Sequence, residues 1–350
     1  MKKTLLALAI AATATSVNAA EIYSSETTNV SLKGEVDVYL ATKETENKDV
    51  AGSKETLDPS VNVWGKIQLD AEQKFANGLT GFASFEIESG SWYDGTDNNA
   101  KFDDVYVGVK GESWGVAAGE VGDLADSDDA ITKDDITNEG NYLGAMGGHH
   151  RESSGNGVVF KTKVAEKLTL VADVNTVSDE DVDNTYGVSA DFAITENFAV
   201  GASYITGEAA KDVDFNLYGA AFSAEFGGFY GAVSYVEYEG NVGYGFFDNK
   251  SGPEDTALTN DYLSGNSLGL AVAYTIEDTR LYSTYAIAKA DEVTATGASF
   301  DGESTNLVVG VDHAIASNIT AFVEYQINET DNDLGNNEGT SVVSGVYYAF

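Results

Sequence analysis

The chain contains no cysteine, only two prolines, only three histidines, and past its first residues no apolar run long enough for a membrane helix. Without cysteine, neither disulfides nor thiolate metal sites hold it together. Basic residues are scarce too: 19 Lys and Arg stand against 57 Asp and Glu, a formal charge of -38. That balance argues against nucleic acid, because phosphate binding needs a basic surface. Acidic chains are often disordered, but those are poor in aromatic and β-branched residues. This one is 43% hydrophobic and 11% aromatic, so its carboxylates decorate a folded object. With 37 Gly and 19 Tyr, the composition suits a sheet protein.

Residues 1–19 read as a secretory signal peptide. Met1-Lys2-Lys3 is a basic start, Leu5 to Ala12 a short apolar core, and Val17-Asn18-Ala19 places small residues before a cut between Ala19 and Ala20. The mature product, 20–350, is then either secreted and soluble or an outer-membrane barrel.

The rest of the chain favours the barrel. Val30, Leu32, Gly34, Val36, Val38 and Leu40 share one parity, while Ser31, Lys33, Glu35, Asp37 and Tyr39 share the other. Period-2 alternation marks a strand with one apolar and one wet side. It recurs at Val61–Ala71, Leu79–Ile87, Val105–Val109, Val158–Val164, Leu168–Val174, Tyr186–Ile194 and Phe198–Tyr204. Further on, the apolar parity is read as Phe215, Leu217, Gly219, Ala221, then Tyr230, Ala232, Ser234, Val236, Tyr238, and onward to Phe350.

Tight turns are expected near 76–78, 111–113, 165–166, 195–196, 227–228, 277–278 and 317–318. Longer loops are expected around 41–60, 90–102, 122–156, 177–184, 207–213, 240–266, 289–305 and 328–340. Those connections join about sixteen strands, an even number with short turns at one end and long loops at the other, as in bacterial membrane barrels. Aromatics flank the turns (Phe75, Trp114, Phe192, Phe198, Phe226, Phe229) and the loop ends (Trp92, Tyr93, Tyr186, Tyr204, Tyr238), as interfacial girdles require. The fold class is therefore all-β: a transmembrane antiparallel β-barrel with short periplasmic turns and long extracellular loops.

One connection stands apart. Between Glu120 and Gly157, Asp123, Asp126, Asp128, Asp129, Asp134, Asp135 and Glu139 crowd together, opposed before Arg151 only by Lys133. A loop this long is a functional insert or a disordered tag, and the reading adopted is that it folds into the lumen. The opposite parity of the wall would line that lumen. It brings in Glu35, Asp37, Asp70, Glu86, Glu88, Asp104, Asp173, Asp191, Glu237, Asp312 and Glu324, with Lys33, Lys66, Lys110, Lys161, Lys163 and Arg280.

With the leader, the alternating strands, the long third loop and the closing Val342-Val343-Ser344-Gly345-Val346-Tyr347-Tyr348-Ala349-Phe350 in view, the chain resembles the Gram-negative general porins, particularly those of marine γ-proteobacteria. In that family a terminal Phe with apolar or aromatic residues two and four places earlier is the outer-membrane assembly signal, matched here by Val346, Tyr348 and Phe350. The resemblance implies a homotrimer of water-filled barrels in the outer membrane, among its lipids and lipopolysaccharide, inserted by the assembly machinery. It also implies a third loop, 122–156, that narrows each pore, and small hydrophilic solutes as cargo. The Pro-Glu-Phe-Gly-Gly stretch and the arginine ladder of enteric members are absent, since only Arg151 and Arg280 occur.

A neck lined by Asp123, Asp126, Asp128, Asp129, Asp134, Asp135 and Glu139 concentrates cations, so a weakly cation-selective diffusion pore is expected. The alternative for these acids is a solvated outer fringe. Lys33, Lys66 and Lys110 serve either as a basic wall opposite the loop or as local ion-pair partners. His149-His150 point apart on an extended chain and make no metal site. Asp126-Ser127-Asp128-Asp129 lacks the Gly and bidentate Glu of a calcium loop, and Val242-Gly243-Tyr244-Gly245 has no pore helices to carry a filter. No metal, cofactor or nucleic acid is expected, and with no nucleophile motif no enzymatic activity either. The rival reading is a surface adhesin or phage receptor whose barrel is an anchor.

Overall fold

The computed structural model describes residues 20–90, 99–121, 127–140, 156–242, 262–332 and 335–350. The expected leader, Asp123, Asp126, Trp92, Tyr93, His149, His150, Arg151 and the 243–245 segment lie outside the described residues.

Among the described residues, seventeen strands form one antiparallel sheet. The first eight are β1 (Ala20–Ser24), β2 (Thr28–Asn47), β3 (Glu55–Lys74), β4 (Thr80–Gly90), β5 (Lys101–Lys110), β6 (Trp114–Glu120), β7 (Asn156–Val164) and β8 (Leu168–Asn175). Then come β9 (Thr185–Ala193), β10 (Phe198–Ala210), β11 (Val213–Phe226), β12 (Phe229–Val242) and β13 (Tyr262–Ile276). The last four are β14 (Thr279–Val293), β15 (Ala298–Ala316), β16 (Ile319–Asn332) and β17 (Gly335–Ala349).

From β2 onward each strand pairs with the next, and β17 returns to β2 from Asn337↔Asn47 to Ala349↔Glu35. The result is a closed barrel of 16 strands with one extra strand. Closure leaves no edge, which is how a sheet satisfies its backbone within lipid. Reciprocal bonds of 2.8 Å between Gly34 and Phe350 finish the seam. The short β1, which the alternation did not reveal, pairs with β2 below that point, Ala20 opposite Leu32.

The side chains obey the parity rule over most of the wall. Val36, Val38 and Leu40 are exposed on the outside, while Asp37, Tyr39 and Ala41 between them are buried inside. All seven expected tight turns are present between the paired strands. Val346, Tyr348 and Phe350 share the outer face at the closing seam.

Two readings are corrected. First, several long loops are instead strand. β2 runs on to Asn47, β10 and β11 are joined by only two residues with Asp212 at φ 61, and β14 meets β15 across 294–297. Beyond the hydrocarbon both faces of a hairpin are wet, so the ladder continues while its sequence turns polar on both sides. Second, β11 and β12 face the other way. Phe215, Leu217, Ala221, Val236 and Tyr238 are buried inside, whereas Tyr218, Phe222 and Tyr235 are exposed outside. Glu237 is accordingly on the outer face, where it accepts the hydroxyls of Tyr218 and Tyr235.

Candidate functional site

The reason for the inverted strands is the loop. Its described part, 127–140, contains one short 3-10 turn (Asp128–Ala130) and lies against the inner wall from β8 to β17. Ile131 has no exposed surface and fills a cluster with Ile205, Phe215, Leu217 and Val236. Those residues are apolar because they meet the loop, not water. Since the outer face of β11 and β12 is apolar as well, alternation could not choose between the faces.

Polar bonds fix this segment at both ends. At the near end the Ser127 amide donates to Asp173 at 2.7 Å and the Ser203 hydroxyl to the Ser127 carbonyl at 2.5 Å. Lys133 bonds Asp191 at 2.7 Å, and Tyr230 donates to the Lys133 carbonyl at 2.6 Å. At the far end Glu324 accepts the successive amides of Asn138 and Glu139 at 2.6 and 2.8 Å, with the Tyr282 hydroxyl at 2.6 Å. Tyr347 donates to Glu139 at 2.6 Å. Arg280 binds Asp312 and also donates to the Ile136 carbonyl at 2.9 Å.

Of the loop acids, Asp129 and Asp135 are exposed, Asp134 is buried, and Glu139 is half-buried. Asp128 sits in the short turn. Burial pushes the Glu139 carboxyl above the usual carboxylate range, against the lowering bond from Tyr347, and neighbouring Glu324 raises it further. Asp173, Asp191, Asp312 and Glu324, grouped by parity with the lumen acids, are engaged in holding the loop.

The wall from β2 to β5 is different. Lys33 stands 3.4 Å from Asp70, Lys66 3.1 Å from Glu86, Lys101 2.8 Å from Glu88 and Lys110 2.5 Å from Glu72. The Trp64 indole N–H adds a 3.1 Å bond to Glu88. Each of these lysines, Lys33, Lys66 and Lys110 included, thus has a local carboxylate partner. Carboxylate oxygens of Glu86, Glu88 and Asp103 converge within 4.8 Å of one another. Lys66 and Lys101 already offset two of the three, so the group is largely neutralised by its own lysines rather than a preformed cation cage.

The anchoring hydroxyls of Tyr230, Tyr282 and Tyr347 were not singled out from the sequence. For Tyr282 and Tyr347 a signal existed: each is an aromatic in the wet parity, beside the outward-facing Leu281 and Tyr348. A tyrosine there needs a polar partner for its hydroxyl.

Comparison with known proteins agrees with this geometry. A family model described as Gram-negative porin matches residues 6–333. A monosaccharide porin from a Halomonas species is 25% identical with all of both chains covered. The major outer membrane protein of Halomonas elongata shows the same identity and coverage. Among solved structures, Salmonella typhi OmpF in complex with daunomycin superposes with a TM-score of 0.70 at 15% identity, covering 95% of this chain and 100% of that one. A mutant Rhodopseudomonas blastica porin gives 0.59 at 15% identity, covering 92% and 100%. The chain is an outer-membrane β-barrel that belongs to the Gram-negative porin family.

Proposed function

We propose that this passive diffusion pore favours cations weakly and admits neutral solutes of monosaccharide size. The observation that carries the first part is the pairing of Lys33, Lys66, Lys101 and Lys110 with carboxylates, while Asp129 and Asp135 of the loop stay exposed. The wall's lysines are thus offset by carboxylates and leave no net positive face, and the exposed acids of the loop add to the negative sum. A cation ~7 Å from each of two carboxylates in water gains roughly 1 kcal/mol in all, about a fivefold bias before screening. With a Debye length of about 8 Å at physiological salt, charges at the neck outweigh those at the rim.

The second part rests on the Halomonas relative described as a monosaccharide porin. A lumen with paired charges and many hydroxyls offers hydrogen bonds to a polyol without a strong transverse field. The same reading makes the protein a homotrimer of non-enzymatic channels, cut after Ala19, inserted by the assembly machinery and surrounded by lipopolysaccharide. Asp123 and Asp126 would add to the loop's charge. A receptor role for the outer loops is the second reading, with no observation in its favour.

Planar-bilayer recording tests selectivity. In a KCl gradient the reversal potential should carry the cation sign and move toward zero in Asp129→Asn/Asp135→Asn. A wild-type value at zero or of anion sign sinks the cation preference. Proteoliposome swelling in glucose against a disaccharide tests the solute class, and exclusion of glucose removes it.

A further inference from the structure

We infer that Gly187 and Gly201, on the inner face of β9 and β10, are positioning residues that set how far the loop reaches into the lumen. Neither has a positive φ, so backbone conformation does not call for glycine at either position. Glycine in a strand interior weakens it by roughly 0.5–1 kcal/mol relative to alanine and often marks the close approach of another backbone. Both sites show that approach.

A Cβ on Gly201 would overlap the Ala130 carbonyl oxygen and lie 2.6 Å from its carbon. On Gly187 it would overlap the Ser127 hydroxyl and Asp173, and lie 2.8 Å from the Ser127 Cβ. Ordinary contact begins at 3.4 Å. At Gly201 the obstacle is backbone, which does not swing aside.

The sheet register adds a pattern. Gly187 pairs across the ladder with Asp173, which takes the Ser127 amide. Gly201 pairs with Asp191, which takes Lys133. On two successive strand pairs, then, an aspartate holds the loop and the glycine opposite leaves room for it. Gly140 repeats the fit from the loop's own side, where an added Cβ would lie 2.7 Å from a Val308 methyl. The loop lies flat because these positions carry no side chain, and its height above the wall fixes the open cross-section. This goes beyond selectivity, since no charge is involved.

The test is single-channel conductance of Gly187→Ala and Gly201→Ala barrels that keep heat-modifiable mobility on gels. Gly339→Ala on β17, whose nearest neighbours stand at 3.9 Å, is the control. Close-packed interiors transmit strain as displacement, so both variants should lose roughly a third or more of the parent conductance. The reversal potential should not move, and the control should match the parent. Ser127→Gly removes atoms that the new methyl meets, so it should return Gly187→Ala toward the parent value. Parent-like conductance in both glycine variants overturns the inference. Should neither variant insert, Ile131→Ala creates space without a clash and should raise open-channel noise, and a parent-like recording from it overturns the inference as well. A parent protein without channels would instead break the pore reading itself.

Discussion

The inner wall has two characters. From β2 to β5 it is ionic, with Lys66 paired to Glu86 and Lys110 to Glu72. Across β10 to β12 it is dry, with Ile205, Phe215, Leu217 and Val236 closed over Ile131. One barrel and one strand geometry serve both. The difference comes from what each half meets, water on one side and the loop on the other. Apolar surface is therefore gathered beneath Ile131, while charged groups line the open wall and also hold the loop segment on either side of that cluster, at Asp191 and Glu324.

If that division is right, the largest effect should come from the far mooring. Glu324→Ala strips the acceptor from Asn138, Glu139 and Tyr282, and each buried donor left unmade costs about 1–3 kcal/mol. The loop end should lift, giving frequent sub-conductance steps and a raised mean conductance. Steady parent-like openings would mean that the dry cluster alone moors the loop.

Next, Lys66→Met should destabilise the ionic half by leaving Glu86, 2% exposed, without its cation. Because Lys66 is itself 28% exposed, the cost should fall below the 3–5 kcal/mol of a fully buried pair, at about 2 kcal/mol. Urea titration of refolded barrels checks this, and the reversal potential should shift further toward the cation sign.

A smaller effect is pH-linked. The docked Glu139 carboxyl titrates above its free value, so docking gains stability in acid and loses it as pH rises through the raised value. Open-channel noise should fall on mild acidification, and Glu139→Gln should flatten that dependence. Noise that rises in acid would contradict the sign. The smallest effect belongs to the outer rim, where Lys289 and Glu303 pair at 2.9 Å with about half of each side chain exposed. Lys289→Ala should leave both the melting midpoint and the conductance unchanged.

How much of this could be read in advance varies from strand to strand. On β2 the order Val36, Asp37, Val38, Tyr39, Leu40 assigns every side chain, because lipid and water demand opposite residues. On β11 that demand vanishes. Leu217 faces the loop and Tyr218 the membrane interface, and neither surface asks for charge. Gly187 and Gly201 look like any strand glycine until Ser127 and Ala130 are laid upon them.

The sequence by itself determined the closed sheet, the sixteen strands of the barrel though not the extra β1, its short turns and most of its outward apolar belt. These follow from the two-residue period and from a solvent that tolerates no unpaired backbone. Only the tertiary structure decided which acids hold the loop and which stay exposed, and which strands turn a greasy face inward. Those outcomes depend on residues far apart in the chain, from 46 positions for Ser127 and Asp173 to 185 for Glu139 and Glu324, whose meeting no local pattern records.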